Sequence, residues 1–420
     1  MNGELSYLLP PILTANKLYD KLLRLPYYSD DIRARDTGER LLCLPTLYDI
    51  FIPNRMTEEI YTSTYLAVTR ALTKKEGSLA VKQGYSNYSV ISGSPGQGLL
   101  QGYSYSVTGP SGIGKSTAIA AAVKAISPNV TINYTGSGDN IFACTRVIPV
   151  MSVQTPFDCS AKSLMLEILR KIDLCLDTDY YRTALKTRTT VDMLVGTISQ
   201  VSFCHIGIII LDEAQHLLCG AGAALMKLLV QLINSSGVSL CFVGTPECRS
   251  FFSQEYYLAR RSLGLEYDLL PFDEEFRLLC ETLFRYQYTA FRTELSEGIL
   301  HWLYDHSNGN TSTLVDLLYY AQELAILTGH EQLDLSMLQA ASRQRLSMLR
   351  DYIEHERIVY PPAKRRDCSN NNPPEQKSDF PVSSETPVSI ASVLKSGNRI
   401  DAIIRDLSRI PGVTVTEVSL

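Results

Sequence analysis

The residues with the clearest chemical potential form a glycine-rich loop that ends in a lysine and two hydroxyl side chains. Gly109, Gly112 and Gly114 allow backbone angles that aim successive N–H groups at one point. Such N–H groups, with a lysine ammonium behind them, bind the phosphates of a nucleotide. The pattern therefore predicts binding of ATP or GTP together with Mg²⁺. The predicted nucleotide-binding residues are Gly109, Pro110, Ser111, Gly112, Ile113, Gly114, Lys115, Ser116 and Thr117.

The elements that must hold this loop are recognisable on either side of it. Residues 103–108 alternate in a way that predicts a strand, and residues 116–126, rich in Ala, Ile and Lys, predict the helix that the loop opens. In this setting Lys115 would reach the β- and γ-phosphates, and Ser116 would ligate Mg²⁺. The alternative is a glycine-rich turn that binds nothing. The strand and helix favour the phosphate loop over that alternative.

A pair of carboxylates, Asp212 and Glu213, directly follows the apolar run 206–211. Such a run is typical of a strand buried on both faces of a parallel sheet, and ligands bind at the carboxyl edge of such sheets. Asp212 is predicted to hold Mg²⁺ through water, and Glu213 to polarise the water that attacks the γ-phosphate. Alternatively, the pair caps the helix predicted at 221–232.

Two further apolar runs predict strands of the same sheet. Residues 238–243 end in a turn that contains Thr245, the candidate side chain for orienting the hydrolytic water, although Gly-Thr-Pro is also an ordinary turn sequence. Residues 146–153 contain Pro149, which cannot donate to a sheet ladder and so predicts a place at or near an edge. The predicted fold is an α/β P-loop NTPase with a parallel sheet flanked by helices, plus a small helical lid.

The order of these motifs resembles that of the AAA+ ATPases, in particular the transposition regulators of the TnsC/TniB type. The phosphate loop, residues 212–216, residues 244–247 and a later arginine pair follow the AAA+ order. Shorter segments strengthen the likeness to the transposition regulators. They are residues 9–13, 49–53, 93–115, 157–162 and 172–173.

The resemblance implies catalytic residues beyond the phosphate site. Arg260 or Arg261 corresponds to the arginine finger that reaches the nucleotide of a neighbouring subunit, and the alternative is a basic, solvated helix face. The second sensor of the family is often an arginine in the lid, but the matching stretch 306–313 contains no Arg or Lys. That departure predicts slow or partner-dependent hydrolysis.

The resemblance also implies a role for the whole chain. ATP binding would assemble a homo-oligomer, as a ring or filament, on double-stranded DNA. The assembly would link a target-selection protein to a transposase, and hydrolysis would disassemble it. Two other classes stay open, namely an AAA+ motor or loader that remodels protein or DNA, and a nucleotide-gated scaffold with little turnover.

Charge gives no bulk attraction to nucleic acid, since the net charge is −5 and the pI about 5.8. DNA binding must then depend on local basic patches. For each basic residue taken singly, an ordinary solvated charge is the alternative. The candidate DNA contacts are Lys74, Lys75, Lys82, Lys124, Lys171, Arg182, Lys186 and Arg188.

Composition changes along the chain suggest five parts. A helix is predicted at 57–72 with its cap at Thr57, and a loop or hairpin at 86–102. Residues 361–387 are poor in apolar side chains, and an amphipathic pattern returns after residue 388, where it suits recruitment of a partner or docking on the ATPase domain itself. The predicted parts are an N-terminal helical extension (1–85), an AAA+ core (86–270), a helical lid (271–358), a flexible linker (359–387) and a C-terminal partner-binding tail (388–420).

Cysteine use and hydropathy bear on the compartment. The ten cysteines are scattered without a C-x-x-C pair or a zinc-like spacing, and Cys241 suits a core strand. No apolar run approaches the roughly twenty residues that span a bilayer. We therefore expect a cytoplasmic protein with no membrane partner and no metal other than Mg²⁺.

Overall fold

The computed structural model describes residues 8–75, 78–91, 99–100, 102–133, 146–158, 160–187, 189–218, 222–248 and 262–346. The predicted linker and tail, 359–420, lie outside these residues, as do Arg188, Arg260 and Arg261. The described parts form an α/β fold in which helices flank a mostly parallel sheet, and a helical region follows it.

The described strands form a single six-stranded sheet. They are β1 (Ser104–Thr108), β2 (Ile132–Asn133), β3 (Arg146–Gln154), β4 (Ile206–Asp212), β5 (Ser239–Gly244) and β6 (Ser262–Glu266). Their order is β2-β3-β4-β5-β1-β6, and every neighbouring pair is parallel except β2 and β3. The parallel strands bring the ends of β1, β4 and β5 to one edge, as the sequence predicts.

Strand β4 is buried on both faces because its side chains alternate between two cores. Ile209 and Leu211 belong to the core beneath one set of helices, and Ile208 and Ile210 to the core beneath the other. The prediction from the continuous apolar run is thus confirmed.

Pro149 lies in β3, next to the edge strand of the described sheet. Its neighbours Ile148 and Val150 pair with β4, whereas β2 pairs only with Arg146 and Val147. The missing N–H of Pro149 therefore interrupts no hydrogen bond with β2, and the predicted near-edge position is confirmed.

Nine helices accompany the sheet within the described residues. The first core packs α6, α8 and α9 on one face, and the second packs α1, α3 and α5 on the other. The nine are α1 (Ala15–Leu22), α2 (Thr37–Cys43), α3 (Arg55–Lys74), α4 (Ser78–Ile91), α5 (Lys115–Ile126), α6 (Ala161–Leu176), α7 (Tyr180–Lys186), α8 (Val191–His205) and α9 (Gly222–Ser236).

Helix α3 begins earlier than the sequence pattern predicts. Its cap is Asn54, whose side chain accepts from the N–H of Thr57 at 3.1 Å. The Thr57 hydroxyl completes a capping box with the Asn54 N–H, at 3.4 Å. Thr57 is therefore the third residue of the helix rather than its cap, and the predicted cap was wrong by one turn.

The predicted loop at 86–102 was wrong over its first part, because α4 continues to Ile91. A buried polar face stabilises this helix despite its Ser, Gly and Tyr content. Gln83 donates to Asn87 at 2.8 Å, and Asn87 donates to the backbone oxygen of Ser235 at 2.8 Å. Ser235 is 148 residues from Asn87 in sequence, so a tertiary contact overrides the local propensity.

The helical region after the sheet has its own core, which includes Phe276, Leu300, Leu314 and Leu338. The described residues of this region form four α-helices. They are α10 (Glu274–Arg285), α11 (Glu297–Ser307), α12 (Thr311–Leu327) and α13 (Leu335–Gln344).

The N-terminal segment holds this helical region through a buried ion pair. Arg40 is only 5% exposed, and its guanidinium donates to both carboxylate oxygens of Glu331, at 2.5 and 2.7 Å. Tyr28 also donates to the backbone oxygen of Gln287 at 2.7 Å. Because α3 packs on the sheet, the residues between Arg40 and α3 connect the helical region to the sheet.

Candidate functional site

The phosphate loop joins β1 to α5, as the sequence predicts. Gly112 and Gly114 have φ angles of 82° and 93°, which side chains rarely tolerate. Gly114 is the residue before the first turn of α5, so the unpaired N–H groups of a twelve-residue helix face the loop. This geometry provides the backbone donors and the positive helix end that phosphate oxygens need.

The Lys115 ammonium lies across the loop. It donates to the backbone oxygens of Gly109 and Pro110, both at 2.7 Å. Burial lowers the pKa of Lys115, while the nearby carboxylates of Glu213 and Asp212 act in the opposite direction. The Lys115 ammonium thus has two neutral backbone oxygens as hydrogen-bond acceptors. Phosphate oxygens would be better acceptors, because hydrogen bonds between charged groups are stronger.

Ser116 and Asp212 meet between the loop and the end of β4. The Ser116 hydroxyl donates to Asp212 Oδ2 at 3.0 Å, although 96 residues separate the two in sequence. Ser116 would ligate Mg²⁺ directly, and Asp212, which is hydrogen-bonded to that hydroxyl, would hold the ion through water. The remaining positions around the ion are left to water and phosphate.

Glu213 follows with an unusual backbone, at φ 57°. Its N–H donates to Asp212 Oδ1 at 2.9 Å, which ties the two acidic residues together. Its carboxylate Oε2 accepts from the side-chain amide of Gln215. The Gln215 amide oxygen accepts in turn from the N–H of Thr245, at 3.4 Å, so the tips of β4 and β5 are connected.

The helical region reaches the phosphate loop through polar groups that the sequence reasoning missed. Asn310 donates from its side chain to the backbone oxygen of Ser111 at 2.9 Å, and the Ser312 N–H donates to the backbone oxygen of Gly112 at 3.0 Å. A Cβ on Gly112 would lie 2.6 Å from Asn310 Oδ1. The arginine-free stretch 306–313 therefore does contact the loop. The sequence signal for this contact was Asn310 itself, since asparagine favours helix caps and Asn310 caps the helix that begins at Thr311.

A cavity of about 400 Å³ extends from these groups. One end carries the phosphate loop with Asp212, Glu213 and Thr245. The other end is largely apolar and is formed by the connection before α3 and by residues of the helical region. This volume lies in the range that ligand pockets of proteins occupy. The residues of that connection that line the cavity are Leu47, Tyr48, Ile50, Phe51, Ile52, Pro53 and Asn54.

The apolar end was also missed from sequence, where residues 49–53 supported only the resemblance. Tyr48 donates to Asp316 of α12 at 2.8 Å, so this wall of the cavity is itself held by the helical region. An apolar slot beside a phosphate site suits the base of a nucleotide.

The candidate DNA contacts are spread over several helices. Lys74, Lys82, Lys124, Arg182 and Lys186 are exposed. Lys171 is half-buried, and Arg182 pairs with Asp179 at 3.6 Å.

The structure corrects the assignment of Lys75. This residue is 2% exposed, and its ammonium donates to the backbone oxygens of Ser202, at 2.7 Å, and Ile206. Lys75 joins the end of α8 to the start of β4 and is therefore not a surface contact for DNA. The prediction was wrong because the sequence does not reveal which lysine ammonium is buried.

The AAA domain family matches residues 100–252, the segment that holds the phosphate loop, Asp212, Glu213 and Thr245. That segment is thus similar to an AAA-type P-loop domain, and the α/β fold is like that of AAA+ proteins. No curated protein matches the chain in sequence.

Two solved structures illustrate the likeness. The ORC2 protein of Aeropyrum pernix in its ADP form is 15% identical with a TM-score of 0.44, over 71% of this chain and 72% of that one. A Drosophila ORC structure bound to DNA is 12% identical with a TM-score of 0.43, over 84% of this chain and 74% of that one. Within the described residues, no helix combines the length and apolarity needed to cross a membrane.

Proposed function

We propose that this chain is a magnesium-dependent ATPase. The observation that carries the proposal is the 3.0 Å contact between Ser116 and Asp212, beside Lys115 and Glu213. It brings a phosphate cradle, a metal-ligand pair and a candidate base to one end of a single cavity. The match to the AAA domain family supports ATP rather than GTP as the nucleotide.

Each side chain has a distinct task in this proposal. Lys115 leaves the loop carbonyls and binds the β- and γ-phosphates. Ser116 and Asp212 hold Mg²⁺, which when bound neutralises charge on the phosphate oxygens. Glu213 accepts a proton from the attacking water, and Thr245 at the tip of β5 orients that water.

A hydrolysis and binding assay on the full chain tests the proposal. Lys115→Ala should abolish ATP binding, whereas Glu213→Gln should bind ATP and lose turnover by about 100-fold or more, because general base catalysis contributes about 10²- to 10⁴-fold. Lys21→Ala is the control, since Lys21 is an exposed lysine of α1 and does not line the cavity. Normal turnover by Glu213→Gln would remove Glu213 as the base.

We infer a finer role from the motif order, which resembles the TnsC/TniB transposition regulators. ATP-bound subunits assemble on double-stranded DNA and link a target-selection protein to a transposase, and hydrolysis releases the assembly. Arg260 or Arg261 supplies the finger that reads the nucleotide of the neighbouring subunit. The exposed Lys82 and Lys124 are candidate DNA contacts of such an assembly.

Electron microscopy with a long DNA duplex tests this role. Rings or filaments should form with a non-hydrolysable ATP analogue and not with ADP, and Arg260→Ala or Arg261→Ala should weaken them. A protein that stays monomeric and unbound in both nucleotides would contradict unaided assembly. Rapid, sustained turnover without partners would instead favour a motor or loader.

One observation favours a second candidate, a nucleotide-gated scaffold. The helical region contacts the phosphate loop through Asn310 and Ser312, which are neutral and cannot neutralise the charge on a transferred phosphoryl group as an arginine does. Tight ATP binding without measurable turnover, with or without DNA, would support the scaffold over the ATPase.

A further inference from the structure

The carboxylate of Glu213 is held on one side only. Gln215 donates to its Oε2, and among the described residues no group donates to its Oε1. A base fixed through one oxygen keeps the other free to accept a proton from water. The Glu213 backbone is in the left-handed region, between the last residue of β4 and the 3-10 helix Ala214–Leu218.

The other end of the Gln215 amide is fixed to β5. Its Oε1 accepts from the Thr245 N–H at 3.4 Å, and it lies against Gly244. A Cβ on Gly244 would lie 2.6 Å from Cys248 Sγ, 2.8 Å from Gln215 Oε1 and 3.2 Å from the Gln215 backbone nitrogen. The absence of a side chain at position 244 therefore makes room for the amide between the two strand tips.

We propose that Gln215 is a positioning residue that aims Glu213 at the hydrolytic water and couples its orientation to Thr245. The inference rests on the proposed ATPase function. The Gln215 side-chain amide makes both contacts. Its nitrogen donates to the Glu213 carboxylate, and its oxygen accepts from the backbone N–H of Thr245, the residue proposed to orient the water. Gln215 contacts neither the phosphate loop nor Asp212 in the contacts described, so it acts on the chemical step rather than on nucleotide binding.

The size of the effect follows from the geometry of proton transfer. A displacement of about 1 Å in a reacting group costs on the order of 100-fold in rate. Loss of the amide donor lets the Glu213 carboxylate rotate away from the water for part of the time. We expect kcat to fall about 10- to 100-fold while KM for ATP stays within about twofold.

The experiment measures kcat, KM and ATP affinity for the full chain, with and without DNA. Gln215→Ala removes both hydrogen bonds. Gln215→Glu keeps the length but replaces the donor with a carboxylate that repels Glu213, so it should be no better than alanine. Gln231→Ala, an exposed glutamine of α9, is the matched control and should behave as wild type.

The outcomes distinguish failure of the positioning role of Gln215 from failure of the proposed ATPase function. A selective loss of kcat in Gln215→Ala, with ATP affinity and thermal stability kept, supports the positioning role. A kcat within twofold of wild type overturns it while the ATPase proposal stands. Loss of ATP binding in parallel with kcat also overturns it, because the role would then be structural. If the wild-type chain has no turnover in either condition, the proposed function fails and the positioning role fails with it.

Discussion

Asn310 and Ser111 form a direct hydrogen bond between the helical region and the phosphate loop, at 2.9 Å from the side-chain nitrogen to the backbone oxygen. The oxygen of the same side chain caps α12, accepting from the N–H groups of Ser312 and Thr313 at 3.1 and 3.3 Å. One residue thus caps a helix and fixes that helix to the loop.

Substitutions at Asn310 can separate these two roles. Asn310→Ser keeps a good cap but is too short to reach Ser111 as well, so its melting temperature should stay near that of wild type. ATP affinity should fall about fivefold, the equivalent of one hydrogen bond of about 1 kcal/mol. Asn310→Ala should lose the same affinity and about 1 kcal/mol of stability in addition. Thermal melts and ATP titrations on both variants decide the point, and unchanged affinity in both would contradict it.

Removal of either proposed metal ligand should change the Mg²⁺ requirement more than the ATP requirement. Ser116→Ala or Asp212→Asn removes one of two oxygens that lie 3.0 Å apart. We expect the Mg²⁺ concentration for half-maximal turnover to rise about tenfold or more, since even outer partners of a metal site contribute that much. A magnesium titration of ATPase activity measures this. An unchanged requirement would place the metal elsewhere.

Lys75→Met should destabilise the fold without a direct effect on DNA. The methionine retains the apolar stem but leaves the backbone oxygens of Ser202 and Ile206 without the ammonium donor. We expect a loss of about 1–3 kcal/mol in the free energy of unfolding. Lys82→Met, at an exposed position, should stay within about 0.5 kcal/mol. Denaturant melts test the difference, and equal stability of the two variants would remove the structural role of Lys75.

The Arg40–Glu331 pair should make stability dependent on pH in the acid range. The hydrogen bond from Arg40 holds the pKa of Glu331 below its usual value of about 4.3. The ionised carboxylate therefore stabilises the folded state fully above that usual value, and the contribution is lost as pH falls through the lowered one. Glu331→Gln should cost about 1.5–3 kcal/mol at pH 7, and the difference from wild type should shrink as the pH falls below the usual glutamate pKa of about 4.3.

The exposed pair Arg277–Glu297 supplies the control for that prediction. Its nitrogen and oxygen are 2.6 Å apart, but the glutamate side chain is 65% exposed. Glu297→Gln should therefore change stability little at any pH, because exposed ion pairs are screened by solvent. A difference between wild type and Glu331→Gln that does not vary with pH would contradict the account of Glu331.

The parts of the site that the sequence predicts are those encoded by contiguous motifs. Residues 109–117 and the run before Asp212 carry their own strand, loop and helix signals, so their meeting follows from parallel-sheet topology. Asn310 and the cavity wall at 47–54 have no such local signal. They become part of the site only through packing of segments far apart in sequence. Burial of Lys75 and the helix at 86–91 depend on tertiary partners for the same reason.

The walls of the cavity come from three separate stretches of chain: residues 47–57, residues 111–245 and residues 270–315. A nucleotide in contact with all three is in effect a reversible cross-link, and it stabilises the arrangement in proportion to its occupancy. Protease resistance of the N-terminal segment should consequently report nucleotide occupancy, although most of that segment never touches a phosphate.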